Sequence, residues 1–141
     1  MTNPNISLVK SLYTAFQQGR IDAIVGAVSP NVDWETVGRA KDFPAFGPRK
    51  GRAAVEDFFK IVAENEEFAE FSPREFFSDT DRVFALGRYA GKIKKTGRTF
   101  AAEWVHVFTI RDGQVTRFRE HTDTARNSPK ASAPKRALAK G

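Results

Sequence analysis

Apolar residues in the first half of the chain recur at the three- and four-residue spacing that is typical of amphipathic helices. The first run follows Asn3-Pro4-Asn5 and stops at Gly19, so a capping residue, an early proline and a terminating glycine frame it. A second run is capped by Asp22 and stopped by Ser29-Pro30, and a broad apolar stripe follows Gly51. The pattern predicts three helices, at 6–16, 22–28 and 52–67, and a short strand at 32–37.

The second half of the chain has the alternating pattern of strands, which we predict at about 71–78, 82–94, 98–110 and 114–122. Short polar turns separate them. The stretch 38–51, rich in Gly and Pro, is predicted to be a loop. Helices followed by a meander of long strands indicate an α+β fold, with the helices on one face of a curved antiparallel sheet.

The last two predicted strands carry His106 and Glu120, which can meet only if the hairpin pairs in one particular register. A two-residue loop at Asp112-Gly113 would turn Arg117 and Arg119 toward the aromatic face, at a large desolvation cost. A three-residue loop, with the glycine as a bulge, avoids this cost, and we predict that register. It places Trp104, His106, Phe108 and Ile110 on one face with Thr116, Phe118 and Glu120.

The composition limits the size of the fold and the kinds of chemistry that the chain can perform. A chain of 141 residues is long enough for one domain with a sizeable core, and thirteen Phe against two Trp and two Tyr favour a bulky core or an apolar cavity. The absence of Cys excludes disulfides and thiolate chemistry, and the two histidines fall on opposite faces in the predicted register, so we expect no metal site. No apolar run approaches 18 residues, and we expect a cytoplasmic protein that does not contact membranes.

The formal net charge of +6 is concentrated at the C-terminus. Residues 125–141 contain five basic side chains and no acidic one, so the rest of the chain is nearly neutral. We therefore predict a folded domain at 1–124 and a disordered basic tail at 125–141. Five charges interrupted by Pro and Ala would bind phosphates weakly, so the pattern does not favour a nucleic acid as the partner.

The order of these elements resembles the nuclear transport factor 2-like fold, in its SnoaL-like and ketosteroid isomerase-like branch. The resemblance spans about residues 5–124. It implies a cone-like curved antiparallel sheet with three N-terminal helices packed on its concave face, enclosing an apolar pocket. The segments that carry it are Leu12-Tyr13-Thr14-Ala15-Phe16 with Gly19, Val32-Asp33-Trp34-Glu35, Gly47-Pro48-Arg49-Lys50-Gly51 running into 54–59, and 104–115 followed by Arg117-Phe118-Arg119-Glu120.

The resemblance also implies candidate site residues. In the polyketide cyclases of this family, a histidine and an aspartate stand at the positions of His106 and Glu120, and the carboxylate moves a proton at a carbon next to carbonyls. A ketosteroid isomerase-like site would place its base near Glu35, but its tyrosine falls at Leu12, beside Tyr13. A limonene epoxide hydrolase-like site would need Arg and Asp at two positions where this chain has Gly87 and Tyr89.

Our first hypothesis from the sequence is an isomerase- or cyclase-like enzyme without a cofactor, acting on an apolar carbonyl compound. Glu120 is the predicted base and His106 orients it or polarises the substrate oxygen, with Glu35 as an auxiliary carboxylate. The predicted substrate-binding residues are Tyr89, Trp104, Phe118, Phe58 and Trp34.

The alternative hypothesis is a non-catalytic protein of the same fold, either a binder of a hydrophobic molecule or a dimeric scaffold. An open cavity containing His106 and Glu120 would favour chemistry, whereas a cavity filled by Phe side chains would favour a scaffold. We expect a homodimer in either case, because the outer sheet face carries Val105 and Val107 among arginines, a mixed surface suited to an isologous interface.

Overall fold

The computed structural model describes residues 3–38 and 43–122. The predicted tail at 125–141, with its boundary at 124, lies outside the described residues. In the part described, three helices pack against one six-stranded curved sheet. The elements are α1 (Pro4–Gln17), α2 (Ile21–Ala27), β1 (Val28–Thr36), β2 (Gly47–Lys50), α3 (Arg52–Asn65), β3 (Glu66–Asp79), β4 (Arg82–Ile93), β5 (Thr99–Arg111) and β6 (Gln114–Thr122).

The first helix is framed as the sequence predicts. The side-chain oxygen of Asn3 accepts hydrogen bonds from the backbone N–H groups of Asn5 and Ile6, at 2.9 and 3.0 Å, and thereby satisfies two donors of the first turn. Gly19, just beyond the end of the helix, adopts a φ of 73°, which favours glycine. Helix α2 begins differently, because Asp22 lies in its first turn and no described side chain caps it.

The α+β prediction is confirmed, with one difference in the sheet. The strand order is β2-β1-β6-β5-β4-β3, and every neighbouring pair is antiparallel except β1 and β6, which are parallel. The sheet is therefore mixed rather than antiparallel. No tight hairpin joins β1 to β6, so their relative direction is free of the constraint that short turns impose. Strand β2 lies within the predicted loop at 38–51.

The turn between β5 and β6 differs from the predicted one. It contains two residues, Asp112 and Gly113, with φ values of 53° and 76°, and Arg111 pairs directly with Gln114. Two consecutive positive φ angles are typical of a tight hairpin turn whose twist matches that of the strands. The prediction of a three-residue loop was therefore wrong.

A bulge at Thr116 restores the predicted facing of the side chains. The register shifts by one residue there, so that Thr109 pairs with Arg117 and His106 pairs directly with Glu120. The prediction that His106 and Glu120 share a face is therefore confirmed. Thr116 itself was predicted to face the aromatic side chains and instead occupies the bulge. The desolvation cost of turning Arg117 and Arg119 toward the aromatic face is therefore avoided. A bulge within β6 avoids it, rather than the longer loop that was predicted.

One face of the sheet packs against the helices. Along β5 the even-numbered residues from 100 to 110 are buried, while Val105 and Val107 on the other face are half-buried. The core is continuous from α1 and α3 to the sheet and is rich in aromatic rings. No helix in the described ranges combines the length and the apolar character needed to cross a bilayer.

Candidate functional site

A cavity lies between the helices and the inner face of the sheet. Its empty space is about 750 Å³, including the part that opens to solvent. Eight of the thirteen phenylalanines line it, so the excess of Phe in the composition builds a cavity wall as well as a core. The polar residues of the wall are Tyr13, Thr36, Glu66, Tyr89, His106 and Glu120.

His106 and Glu120 form the centre of the polar wall. They are direct partners across the β5–β6 pair, and only 4% and 9% of their surfaces are exposed. The imidazole Nε2 lies 2.7 Å from the carboxyl Oε1 of Glu120. The ring of Trp104 stacks on the imidazole with a centroid separation of 3.9 Å, which fixes the plane of that ring.

Two tyrosines extend this pair at both ends. The hydroxyl of Tyr13, on α1, lies 2.7 Å from Nδ1 of His106. The hydroxyl of Tyr89, on β4, donates a hydrogen bond of 3.1 Å to Oε2 of Glu120. A continuous chain of hydrogen bonds therefore runs from helix α1 through β5 and β6 to β4.

The protonation of the tyrosines determines the direction of these hydrogen bonds. Burial, and then the negative charge of Glu120, raise the pKa of Tyr13 well above its usual value, and the same two causes raise the pKa of Tyr89. Both phenols therefore remain protonated. Because the Glu120 carboxylate can only accept, a neutral His106 donates its Nε2–H to it, and Nδ1 accepts the hydrogen bond of the Tyr13 hydroxyl.

The structure brings most of the predicted site residues to the cavity. Tyr89, Phe118, Phe58 and Trp34 line it with His106 and Glu120. Trp104 is the exception among the predicted binding residues. Its side chain faces the predicted way, but it lies behind the His106 ring and is not part of the wall.

The placement of Glu35 corrects the sequence analysis. Along β1 the buried side chains are Val32, Trp34 and Thr36, so Glu35 lies on the opposite face. Its Oε1 is 3.5 Å from Nε of Arg119. Glu35 therefore does not supply a second carboxylate to the cavity.

Two cavity residues were missed from the sequence. Tyr13 shares the helical spacing of Leu12 and Phe16, and this spacing predicts that its side chain faces inward. The sequence analysis nevertheless gave Tyr13 no role in the site. Glu66 was placed in the predicted third helix, whereas that helix ends at Asn65 and Glu66 begins β3. Burial, and then the charge of Glu120, raise the pKa of Glu66 to about 7.

The described residues contain no group of three or more His, Asp or Glu side chains that could hold a metal ion. The titratable groups of the cavity are acids, phenols and one imidazole. Such a set can accept, donate and relay protons.

The SnoaL-like domain family matches residues 9–118 of the chain. Among solved structures, an NTF2-like protein of unknown function from Burkholderia pseudomallei K96243 is similar with 25% identity and a TM-score of 0.81, over 89% of this chain and 95% of that one. An NTF2-like protein from Burkholderia xenovorans LB400 is similar with 30% identity and a TM-score of 0.79, over 88% and 92%. TerC, co-crystallised with polyporic acid, is similar with 28% identity and a TM-score of 0.73, over 87% and 94%. No curated protein matches the chain.

Proposed function

Because the chain belongs to the SnoaL-like domain family, we propose that it is an enzyme that transfers a proton at a carbon next to a carbonyl group of an apolar small molecule. The observation that carries this proposal is the buried chain of hydrogen bonds from Tyr13 to Tyr89, with the Glu120 carboxylate in its middle and an apolar cavity in front of it.

Glu120 is the base in this proposal. Each of its oxygens accepts one hydrogen bond, from His106 and from Tyr89, and each has a second lone pair that can take a proton. The carboxylate removes the proton from the substrate carbon, and the electron pair of the C–H bond moves to the carbonyl oxygen to form an enolate. In a substrate that carries a C=C bond conjugated with this enolate, return of the proton to another carbon of the conjugated system completes an isomerisation.

His106 and Tyr13 act through Glu120. The hydrogen bond from Tyr13 holds the imidazole in the tautomer whose Nε2–H points at the carboxylate, and stacking on Trp104 holds the plane of the ring. A base that is oriented before the substrate arrives loses less entropy on the way to the transition state. His106 and Tyr13 are therefore positioning residues in this mechanism.

The alternative of a non-catalytic binder is favoured by one observation, namely that the similar protein TerC was crystallised with polyporic acid. The open cavity, with His106 and Glu120 in its wall rather than covered by Phe side chains, supports chemistry instead. Binding of polyporic acid without any proton exchange on carbonyl probes would favour the binder.

Proton transfer can be tested before the natural substrate is known. 2-Tetralone, an apolar ketone with acidic C–H bonds, is incubated with the protein in D₂O, and incorporation of deuterium is followed by mass spectrometry. We expect exchange above the rate in buffer alone, because abstraction next to a carbonyl is the proposed step. The same assay serves for the variants of Tyr13, His106 and Glu120, and exchange by the unaltered protein at the rate of buffer alone would contradict the proposal.

The His106→Gln variant should lose about 10- to 100-fold in exchange rate, because a glutamine amide can still donate to Glu120 but lacks the rigid ring. Tyr13→Phe should lose up to about tenfold, since only the donor to Nδ1 disappears. A loss in His106→Gln as large as that in Glu120→Gln would mean that the two groups titrate as one coupled pair.

The homodimer remains a prediction. The outer face of β5, with Val105 and Val107 half-buried in the single chain, is the proposed interface. Sedimentation velocity at micromolar concentration should give the mass of two chains, and Val107→Glu should shift it to that of one. A monomer for the unaltered protein would contradict this prediction.

A further inference from the structure

Glu66 lines the cavity at the first position of β3, and the hydrogen bonds around Glu120 do not include it. No side chain within residues 3–38 and 43–122 forms a hydrogen bond or an ion pair with its carboxyl group. Glu66 is half-buried, and its carboxyl oxygens are not among the atoms that protein covers completely. A molecule that occupies the cavity can therefore reach this carboxyl group.

The two carboxyl groups of the cavity come from distant strands. β4 and β5 separate β3 from β6 in the sheet. Strands lie about 4.8 Å apart, so a flat sheet would separate the two backbones by roughly 14 Å. The curved sheet brings Glu66 and Glu120 to one cavity, and a molecule in that cavity can contact both.

The other donors of the described wall are engaged or covered. Tyr13 donates to His106, and Tyr89 donates to Glu120. The hydroxyl group of Thr36 and the indole N–H of Trp34 have no hydrogen-bond partner among the described residues, but protein atoms cover both. The O–H group that remains for an oxygen of the substrate is that of a protonated Glu66.

The charge around Glu66 favours its protonated form. The described wall contains no Lys or Arg, and α3 and residues 45–46 contribute only apolar side chains to it. The pKa of about 7 follows from this setting, because burial disfavours the carboxylate and the Glu120 charge repels it. The titratable groups that face the cavity with Glu66 are Tyr13 of α1, Tyr89 of β4, His106 of β5 and Glu120 of β6.

We propose that Glu66, when protonated, donates a hydrogen bond to an oxygen of the substrate, and that the cavity therefore selects uncharged carbonyl compounds over carboxylates and phosphates of similar shape. The carbonyl group in this inference rests on the proposed function. The selection itself is a property of binding and does not require turnover. An anion would meet two carboxyl groups and no cation on the described wall.

The test compares two probes of similar shape, 2-acetylnaphthalene, which is an uncharged ketone, and 2-naphthoate, which is an anion. Calorimetric titration of the protein is carried out with each probe at pH 5.5 and at pH 8.5. We expect the ketone to bind about tenfold more tightly at pH 5.5, where Glu66 can donate, and naphthoate to bind at least about tenfold more weakly than the ketone at pH 8.5.

The Glu66→Gln variant separates this effect from other titrations. Its amide donates at every pH, so the affinity for the ketone should be the same at pH 5.5 and 8.5. Glu67→Gln is the matched control, because the side chain of Glu67 is 61% exposed and lies near Lys92. Glu67→Gln should behave like the unaltered protein. Persistence of the pH dependence in Glu66→Gln, its absence from the unaltered protein, or equal binding of both probes at pH 8.5 would overturn the inference.

Thermal unfolding tests the same residue without any probe. The pKa of the Glu66 carboxyl group is 4.5 in the unfolded chain and rises to about 7 in the folded one. The folded state therefore loses stability as the pH increases through this interval. Glu66→Gln should therefore unfold a few degrees above the unaltered protein at pH 8.5 and at the same temperature at pH 4.5, whereas Glu67→Gln should not differ. Equal unfolding temperatures at pH 8.5 would overturn the inference even if neither probe binds. Failure of the proposed function would appear instead as deuterium exchange by the unaltered protein at the rate of buffer alone.

Discussion

Replacement of Glu120 by glutamine should lower the rate of deuterium exchange into 2-tetralone by about 10²- to 10⁴-fold, the usual contribution of a positioned acid or base. The substitution removes the proton acceptor and keeps the shape of the side chain. The two side chains that hold the carboxylate, His106 and Tyr89, remain in place. The loss should therefore appear in the exchange rate at saturating probe and not in the affinity for the probe.

The fold should tolerate this change. An amide presents one acceptor and one donor where the carboxylate presents two acceptors, so one neighbour must reverse its hydrogen bond. His106 can do so by moving its proton to Nδ1, where the hydroxyl oxygen of Tyr13 accepts it. We expect the free energy of unfolding to change by less than about 1 kcal/mol.

Glu103→Gln provides the control for Glu120→Gln. Glu103 lies on β5, on the outer face of the same sheet, and is exposed. Its replacement should leave the exchange rate unchanged. Full exchange activity in Glu120→Gln would remove Glu120 as the base of the proposed mechanism. The candidate base would then be Glu66, which is the other carboxyl group on the described wall.

Gly87→Ala should destabilise the fold by about 1–3 kcal/mol or more, the range found for overpacked cores. A Cβ atom at this position would overlap the ring of Trp104 and would lie 2.5 Å from the carbonyl oxygen of Ser72. The carbonyl belongs to the neighbouring strand and cannot move, so the indole must. Because that indole stacks on His106, the exchange rate should also fall, by about tenfold for a displaced imidazole.

Gly26→Ala is the matched control for this substitution. Gly26 lies in helix α2, and a Cβ atom there would have no neighbour within 4 Å. Alanine should therefore leave stability unchanged or increase it by up to about 1 kcal/mol, since glycine is the poorer helix former. Thermal unfolding of both variants checks the pair. A Gly87→Ala protein as stable as Gly26→Ala would show that Trp104 can shift without cost.

The common face of His106 and Glu120 was predictable from the sequence because it depends on parity. Burial of Arg117 and Arg119 would be costly, and this rule alone places His106 and Glu120 on the same face. The loop length was not predictable. A three-residue turn and a two-residue turn followed by a bulge at Thr116 give the same facing, and local sequence does not distinguish them.

The directions of two other carboxylate side chains, Glu35 and Glu66, were not predicted correctly from the sequence. The spacing of Val32 and Trp34 indicates an apolar face of β1 that excludes Glu35, whereas the resemblance to ketosteroid isomerases implied a base near that position. Glu66 was a different case. Its direction depends on where α3 ends, and the cap of that helix carries no marker residue in the sequence.

The central position of β6 has a consequence for how the protein acquires its activity. This strand is the last of the described elements, yet it lies between β1 and β5, so its pairing with β1 joins segments that are far apart in the chain. Contacts of such long sequence separation close large loops and slow folding. During synthesis on the ribosome, the edge of β1 that pairs with β6 has no partner until β6 emerges. Since Glu120 resides on β6, the base enters the cavity in the same late step, and a chain truncated before this strand would expose an unpaired edge that invites aggregation.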